Sequence, residues 1–164
     1  MSRSEFQIER YEANRKEQLI ALSMRAWKPV FELLEAASPA YVYNAFYPDG
    51  WRVRQTADIE AFLTAEGDLT WVAVENGEVL GFVGARMHPE DRMGEIYILA
   101  VDPSHQRRGV ATALMDTATA AMRAEDLSMV MVETGGDPGH SGSRATYEAA
   151  GFERWPVARY FKPL

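Results

Sequence analysis

Glu95-Ile-Tyr-Ile-Leu-Ala-Val-Asp-Pro-Ser-His-Gln-Arg-Arg-Gly-Val-Ala-Thr-Ala-Leu114 joins a strand, a turn and a helix in one uninterrupted run. Glu95–Val101 reads as a strand, and Asp102-Pro103 ends it, since proline has no backbone N–H to continue a ladder. Over Gly109–Arg123, Val110, Leu114, Ala118, Ala121 and Met122 fall on one face of an amphipathic helix. Between them lies Gln106-Arg107-Arg108-Gly109-Val110-Ala111-Thr112. The first turn of a helix leaves backbone N–H groups without intrahelical partners, at the positive end of the helix dipole. Such a turn can hold a phosphate or pyrophosphate. Gly109 lets a ligand approach the backbone, Ala111 is the next smallest residue, and Arg107 and Arg108 can add charge-assisted contacts. The competing reading is an ordinary helix start behind two solvated arginines. Neither a Gly-x-x-x-x-Gly-Lys-Ser/Thr loop nor a Gly-x-Gly-x-x-Gly fingerprint is present.

Outward from this run, residues 5–10 alternate weakly and read as a short strand. Asn14–Ala37 is helical, and Pro29 is expected to divide it into two helices. Thr56–Glu60 opens a helix that Gly67 closes. Trp71–Val74 and Val79–Met87 form a hairpin around Asn76-Gly77. Met129–Val132 is a continuous apolar run, as in a central strand buried on both faces. The loop Gly135–Gly142 leads to a helix through Tyr147, closed by Gly151, and Phe152–Phe161 suggests a further strand. The 164 residues, without repeat or linker, suit one α/β domain spanning 1–164.

Composition narrows the function. With no cysteine, thiolate nucleophiles, disulfides and Cys-based zinc sites are excluded, and a cytoplasmic location is expected. Three dispersed histidines make no recognisable metal motif. A net charge of −7 with only small basic clusters speaks against a nucleic-acid partner and slightly favours a cationic acceptor. The longest apolar runs are too short to span a bilayer, and Met1–Arg10 shows no apolar signal core, so no membrane or secretory segment is expected.

The run Glu95–Leu114, followed by Tyr147-Glu-Ala-Ala-Gly-Phe152, resembles the GNAT superfamily of N-acetyltransferases. The shared text is Gln/Arg-x-x-Gly-x-Gly/Ala after a strand ending in Val-Asp-Pro, then Tyr-x-x-x-Gly-Phe. The resemblance implies a single-domain fold with a mixed, mostly antiparallel sheet, splayed at an acetyl-CoA site and flanked by helices. The pantetheine arm would pair with backbone of Leu99, Ala100 and Val101, and the pyrophosphate would sit on Gln106, Arg107, Arg108, Gly109, Val110, Ala111 and Thr112. The implied reaction is direct transfer of an acetyl group to a primary amine, on a small molecule or peptide, in a ternary complex. A homodimer is compatible with the family.

Two residues are the catalytic candidates. Free alkyl amines are lysine-like, with a pKa of about 10.4, so a base or a desolvating pocket is needed. Glu95 is the candidate base, with apolar neighbours expected to raise its pKa; the alternative is a solvated strand-end carboxylate. Tyr147 matches the family tyrosine near the sulfur and would protonate the leaving thiolate; otherwise its ring packs. His140 stands where several family members carry an asparagine, as a cofactor contact or a solvated loop residue. Gly139-His-Ser-Gly-Ser143 departs from the Gly-x-Ser-x-Gly elbow of serine hydrolases at its fifth position, and no residue orients His88 or His105 as a base in the sequence pattern alone. The aromatic segment Tyr41, Tyr43, Phe46, Tyr47 and Trp51 reads as acceptor pocket or as core and dimer contact. The alternative function is a CoA-binding sensor or interaction module without catalysis.

Overall fold

A computed structural model describes residues 6–164. The strands are β1 (Gln7–Arg10), β2 (Thr70–Glu75), β3 (Glu78–His88), β4 (Met93–Val101) and β5 (Met129–Val132), in one sheet of order β1-β2-β3-β4-β5. The first four pair antiparallel and β5 joins β4 in parallel. The helices are α1 (Lys16–Ala37), α2 (Ala40–Phe46), α3 (Trp51–Glu66), α4 (Val110–Ala124) and α5 (Ser141–Ala149). Two compact units share the chain: one takes residues up to Ala26 and Thr56–Glu133, the other Trp27–Gln55 and Thr134–Leu164.

The sheet lies wholly in the first unit. The β2–β3 hairpin turns at Asn76 and Gly77, both with positive φ, the geometry that asparagine and glycine favour in a two-residue turn. Val72, Leu80, Phe82, Val83 and Ile96 are buried in the sheet, and α4 lays Val110, Leu114, Met115, Ala118 and Met122 against it. Gly94 allows the approach of α4, because a Cβ there would overlap Met122.

Four expectations need correction. Pro29 lies inside a continuous α1 rather than dividing it. Proline removes one hydrogen bond, to the carbonyl four residues earlier. Buried Leu19 and Leu22 before it and Phe31 after it anchor the helix on both sides. Second, β5 is an edge strand, paired among the described residues only with β4, and Met129 is 53% exposed. Val130, Met131 and Val132 are only part-buried. Third, Phe152–Phe161 forms no strand. It is an irregular segment in which Trp155, Val157 and Tyr160 are largely exposed. Fourth, α3 begins at Trp51, five residues before the expected Thr56.

In the second unit, Phe31 stacks on Trp51 with ring centroids 4.6 Å apart, and Tyr47 meets Phe31 edge-on. The aromatic segment therefore divides: Tyr43 and Trp51 are buried, while Tyr41 and Phe46 keep exposed faces. Phe161 reaches the Phe46 ring, with centroids 5.9 Å apart.

Candidate functional site

Strand β4 leaves the sheet through Asp102, which is the anchor of the turn that follows. Its carboxylate accepts from the Ser104 amide at 3.0 Å and the Ser104 hydroxyl at 2.6 Å, and pairs with Arg25. Burial alone would raise the Asp102 pKa; the Ser104 bonds and Arg25 outweigh it and hold the pKa below the usual carboxylate value. Past the 3-10 turn Pro103–His105, two residues adopt left-handed backbone, Arg107 at φ 61° and Gly109 at φ 81°. A Cβ on Gly109 would meet no atom, so glycine is needed there for its backbone angle. For Arg107 the same region is costly, by roughly 1–2 kcal/mol.

Gly109 caps α4, and its carbonyl accepts the Ala113 amide at 3.0 Å. The amides of Val110, Ala111 and Thr112 consequently have no intrahelical acceptor. The two arginines differ. Arg108 donates to Glu75 Oε1 at 2.8 Å and to His105 Nδ1 at 2.8 Å, which braces the turn against the sheet. Arg107 is exposed. Gln106 is also exposed and reaches weakly toward the Val101 carbonyl.

Next to this turn the sheet opens. Pairing of β4 with β5 stops at Ile96 opposite Val132, while β4 continues to Val101 along β3. Among the described residues, Leu99, Ala100 and Val101 thus have a sheet neighbour, β3, on one side only. A bulge accompanies the opening: Gly84 faces Ile98 and Ala85 faces Ile96, which leaves Tyr97 as the extra residue. Tyr97 is 41% exposed, and its ring stacks on Phe62 at 4.8 Å.

Glu95 lies on the same strand, but its surroundings are not the apolar ones expected. Its Oε2 is 2.7 Å from His88 Nε2, with the two side chains 17% and 31% exposed. This hydrogen bond is the main cause of a raised His88 pKa; burial opposes it, and the charges of Glu95, Glu90 and Asp91 add to it. Sequence reasoning missed the pair. The available signal was the short turn Pro89–Asp91: a tight antiparallel return puts His88 opposite Met93 and diagonal to Glu95.

The second unit holds Tyr147, on α5. It is half-buried, packs edge-on to Phe152 at 5.8 Å, and has its pKa raised above 10.0 by burial. His140 is not a solvated loop residue: its Nδ1 lies 2.5 Å from Asp137 Oδ1. Asp137 also accepts the Gly139 amide, and Arg144 donates to the carbonyls of Gly135 and Asp137. The loop before α5 is therefore tied together by Asp137 within it and by Arg144 of α5. Ser141 is the exposed first residue of α5, and the one histidine of this unit is bound to Asp137, an arrangement without an activated serine. Among the described residues no group of three or more His, Asp or Glu is placed to hold a metal, and no helix is long and apolar enough to cross a membrane.

The sequence profile of the acetyltransferase (GNAT) family matches residues 27–152. A mycothiol acetyltransferase from Stackebrandtia nassauensis is 33% identical over 145 residues, which cover 80% of this chain and 44% of that protein. The chain thus spans less than half the length of that relative. Among solved structures, the ribosomal-protein-S18-alanine N-acetyltransferase from Escherichia coli superposes with a TM-score of 0.67 at 17% identity, covering 98% of this chain and 85% of that one. The PaiA N-acetyltransferase from Thermoplasma acidophilum, solved in complex with coenzyme A, gives 0.67 at 15% identity, covering 94% and 93%. At such identities these two likenesses speak to the fold.

Proposed function

The chain belongs to the acetyltransferase (GNAT) family, and from that premise we propose that it transfers an acetyl group from acetyl-CoA directly to a primary amine in a ternary complex. The observation that carries the proposal is one continuous feature: an unpaired edge of β4 that runs through an Asp102-anchored turn into the free amides at the start of α4. An amide-bearing arm can add to such an edge as a strand would, and a pyrophosphate suits the helix start.

In this reading Leu99, Ala100 and Val101 offer backbone to the pantetheine arm, and one of their N–H groups stabilises the developing oxyanion. Gln106, Arg107, Gly109, Val110, Ala111 and Thr112 hold the pyrophosphate. Arg108, already bound to Glu75, acts by holding the turn in shape. Glu95 takes the proton from the ammonium group and frees the nitrogen lone pair to form the new bond with the thioester carbon. The carbon–sulfur bond breaks, Tyr147 gives its phenolic proton to the departing sulfur, and the resulting phenolate takes the second proton that the nitrogen loses as the neutral amide forms, while Glu95 passes its own proton to solvent. A tyrosine is protonated at neutral pH, as an acid requires, and burial shifts the Tyr147 pKa further upward.

We take residues 1–164 as one N-acetyltransferase domain, since the family match at 27–152 includes residues of both compact units. The exposed Trp155, Val157 and Tyr160 support self-association as a homodimer, which light scattering would read. The absence of cysteine goes with a cytoplasmic location. The acceptor is a small-molecule or peptide amine. The test is thiol release from acetyl-CoA across amino acids, polyamines, aminoglycosides, peptides with free N-termini or lysines, and the amine acetylated by mycothiol acetyltransferases. Turnover on one class supports the enzyme. Tight acetyl-CoA binding with no turnover supports the non-catalytic binding module.

A further inference from the structure

We propose that His88 is a positioning residue for Glu95: its imidazole fixes one carboxylate oxygen, and its own protonation state governs how well the other oxygen accepts a proton from the amine. This inference rests on the acetyltransferase reading above.

The geometry is specific. Arg86 is the direct cross-strand partner of Glu95 and would ordinarily claim that carboxylate. Its guanidinium instead lies 3.7 Å from the centre of the Tyr97 ring. Glu95 is left to His88, which reaches it diagonally across the same face at 2.7 Å. The Nε2–H donates to Oε2, so Oε1 remains the oxygen that can take a proton. The other ring nitrogen, Nδ1, lies 3.7 Å from Glu90 Oε1.

The groups that act on His88 come from each neighbouring segment. Glu95 is on β4, Glu90 and Asp91 are on the turn, and Arg86 is two residues earlier on β3. The three carboxylates favour the imidazolium, and Arg86 is drawn off onto Tyr97. When His88 is cationic, its full charge beside Glu95 weakens the carboxylate as a base. When His88 loses the Nδ1 proton, the Nε2–H bond remains and Glu95 becomes the better proton acceptor. The oxygen stays placed in both states; only its basicity changes.

The experiment compares kcat/KM against pH for the unsubstituted protein, His88→Ala and His88→Gln on the best amine of the panel, together with acetyl-CoA affinity. The amine's own titration is common to all three. The unsubstituted profile should rise through a limb above the ordinary histidine value of about 6.5. His88→Ala should lower the rate about 10- to 100-fold through loss of carboxylate placement. His88→Gln, whose amide still donates to Oε2, should recover most of the rate at neutral pH yet lack the limb. Acetyl-CoA affinity should be equal in all three. Imidazole NMR of the unsubstituted protein and Glu95→Gln gives a readout free of turnover, with the His88 titration falling toward the ordinary value in Glu95→Gln. An unaltered profile in both His88 variants, or a His88 titration indifferent to Glu95→Gln, overturns the proposal alone. No turnover on any amine by the unsubstituted protein removes the acetyltransferase reading and this proposal with it.

Discussion

Arg86 and Glu95 face each other across β3 and β4, yet they do not form an ion pair. Arg86 lies on the ring of Tyr97, and Glu95 is bound to His88. Oppositely charged residues directly across a sheet normally attract, by a few tenths to about 1 kcal/mol. Here the bulge at Tyr97 offers the guanidinium an aromatic surface, already stacked on Phe62, in place of the carboxylate. The carboxylate that the pairing would have neutralised is left to the imidazole, one residue pair from the point where the sheet opens.

Glu95 is the base in the proposed mechanism, and replacing it by Gln keeps the shape and removes the proton acceptor. Turnover should fall by roughly 10²-fold or more, with the largest loss at low pH, where free amine is scarce. Steady-state rates between pH 6 and pH 9 check this. An unchanged rate at the low end would return Glu95 to a structural role.

The proposed mechanism has the Tyr147 hydroxyl act on the leaving sulfur, so Tyr147→Phe should lower turnover by about 10²-fold while leaving acetyl-CoA affinity intact. Burial raises the Tyr147 pKa above 10.0, so its loss of function by ionisation falls above that pH. Isothermal titration beside turnover separates the two effects, and equal rates would remove Tyr147 as the acid.

Asp102→Asn tests the anchor of the turn. A carboxylate whose folded pKa is depressed adds stability above its unfolded pKa, about 3.9, and loses it as pH falls through the folded value. The variant should be less stable at pH 7 by about 1.5–3 kcal/mol, the range for hydrogen bonds to a charged group. That difference should shrink below pH 4. Denaturant melts at pH 7 and pH 3 measure it.

Gly84→Ala tests the opening of the sheet. A Cβ at Gly84 would overlap the Phe62 ring and Ile98, and Phe62 supports Tyr97 at the bulge. Overpacking of this kind costs typically 1–3 kcal/mol. The expected result is a lower thermal midpoint together with altered Tyr97 fluorescence or NMR shifts; an unchanged Tyr97 would separate the platform from the bulge.

What the sequence made legible was local. The Asn76-Gly77 turn, the strand ending at Asp102 and the helix after Gly109 are each written in a few adjacent residues whose backbone chemistry is nearly context-free. The rest depended on distant partners. Pro29 is carried through α1 by buried residues on either side of it. The position of β5 is set by the neighbour it lacks, and its four residues would look the same in a central strand. Phe152–Phe161 has strand-forming side chains but no pairing partner among the described residues. At the site, the motif marked Arg108 and Glu95, whereas their partners lie elsewhere in the chain: Glu75 on β2 binds Arg108, and His88, placed by the β3–β4 register, binds Glu95.

The central claim is that the turn Gln106–Thr112 holds the pyrophosphate of coenzyme A, and Gly109→Asp tests it most directly. The substitution sets a negative charge at the start of α4 and a side chain on a left-handed residue. Isothermal titration with acetyl-CoA, alongside circular dichroism to verify the fold, should show saturable one-site binding to the unsubstituted protein and at least about a 100-fold weaker affinity in the variant, equivalent to roughly 2.7 kcal/mol. Equal affinity in a folded Gly109→Asp protein, or no binding to the unsubstituted protein, would contradict the account.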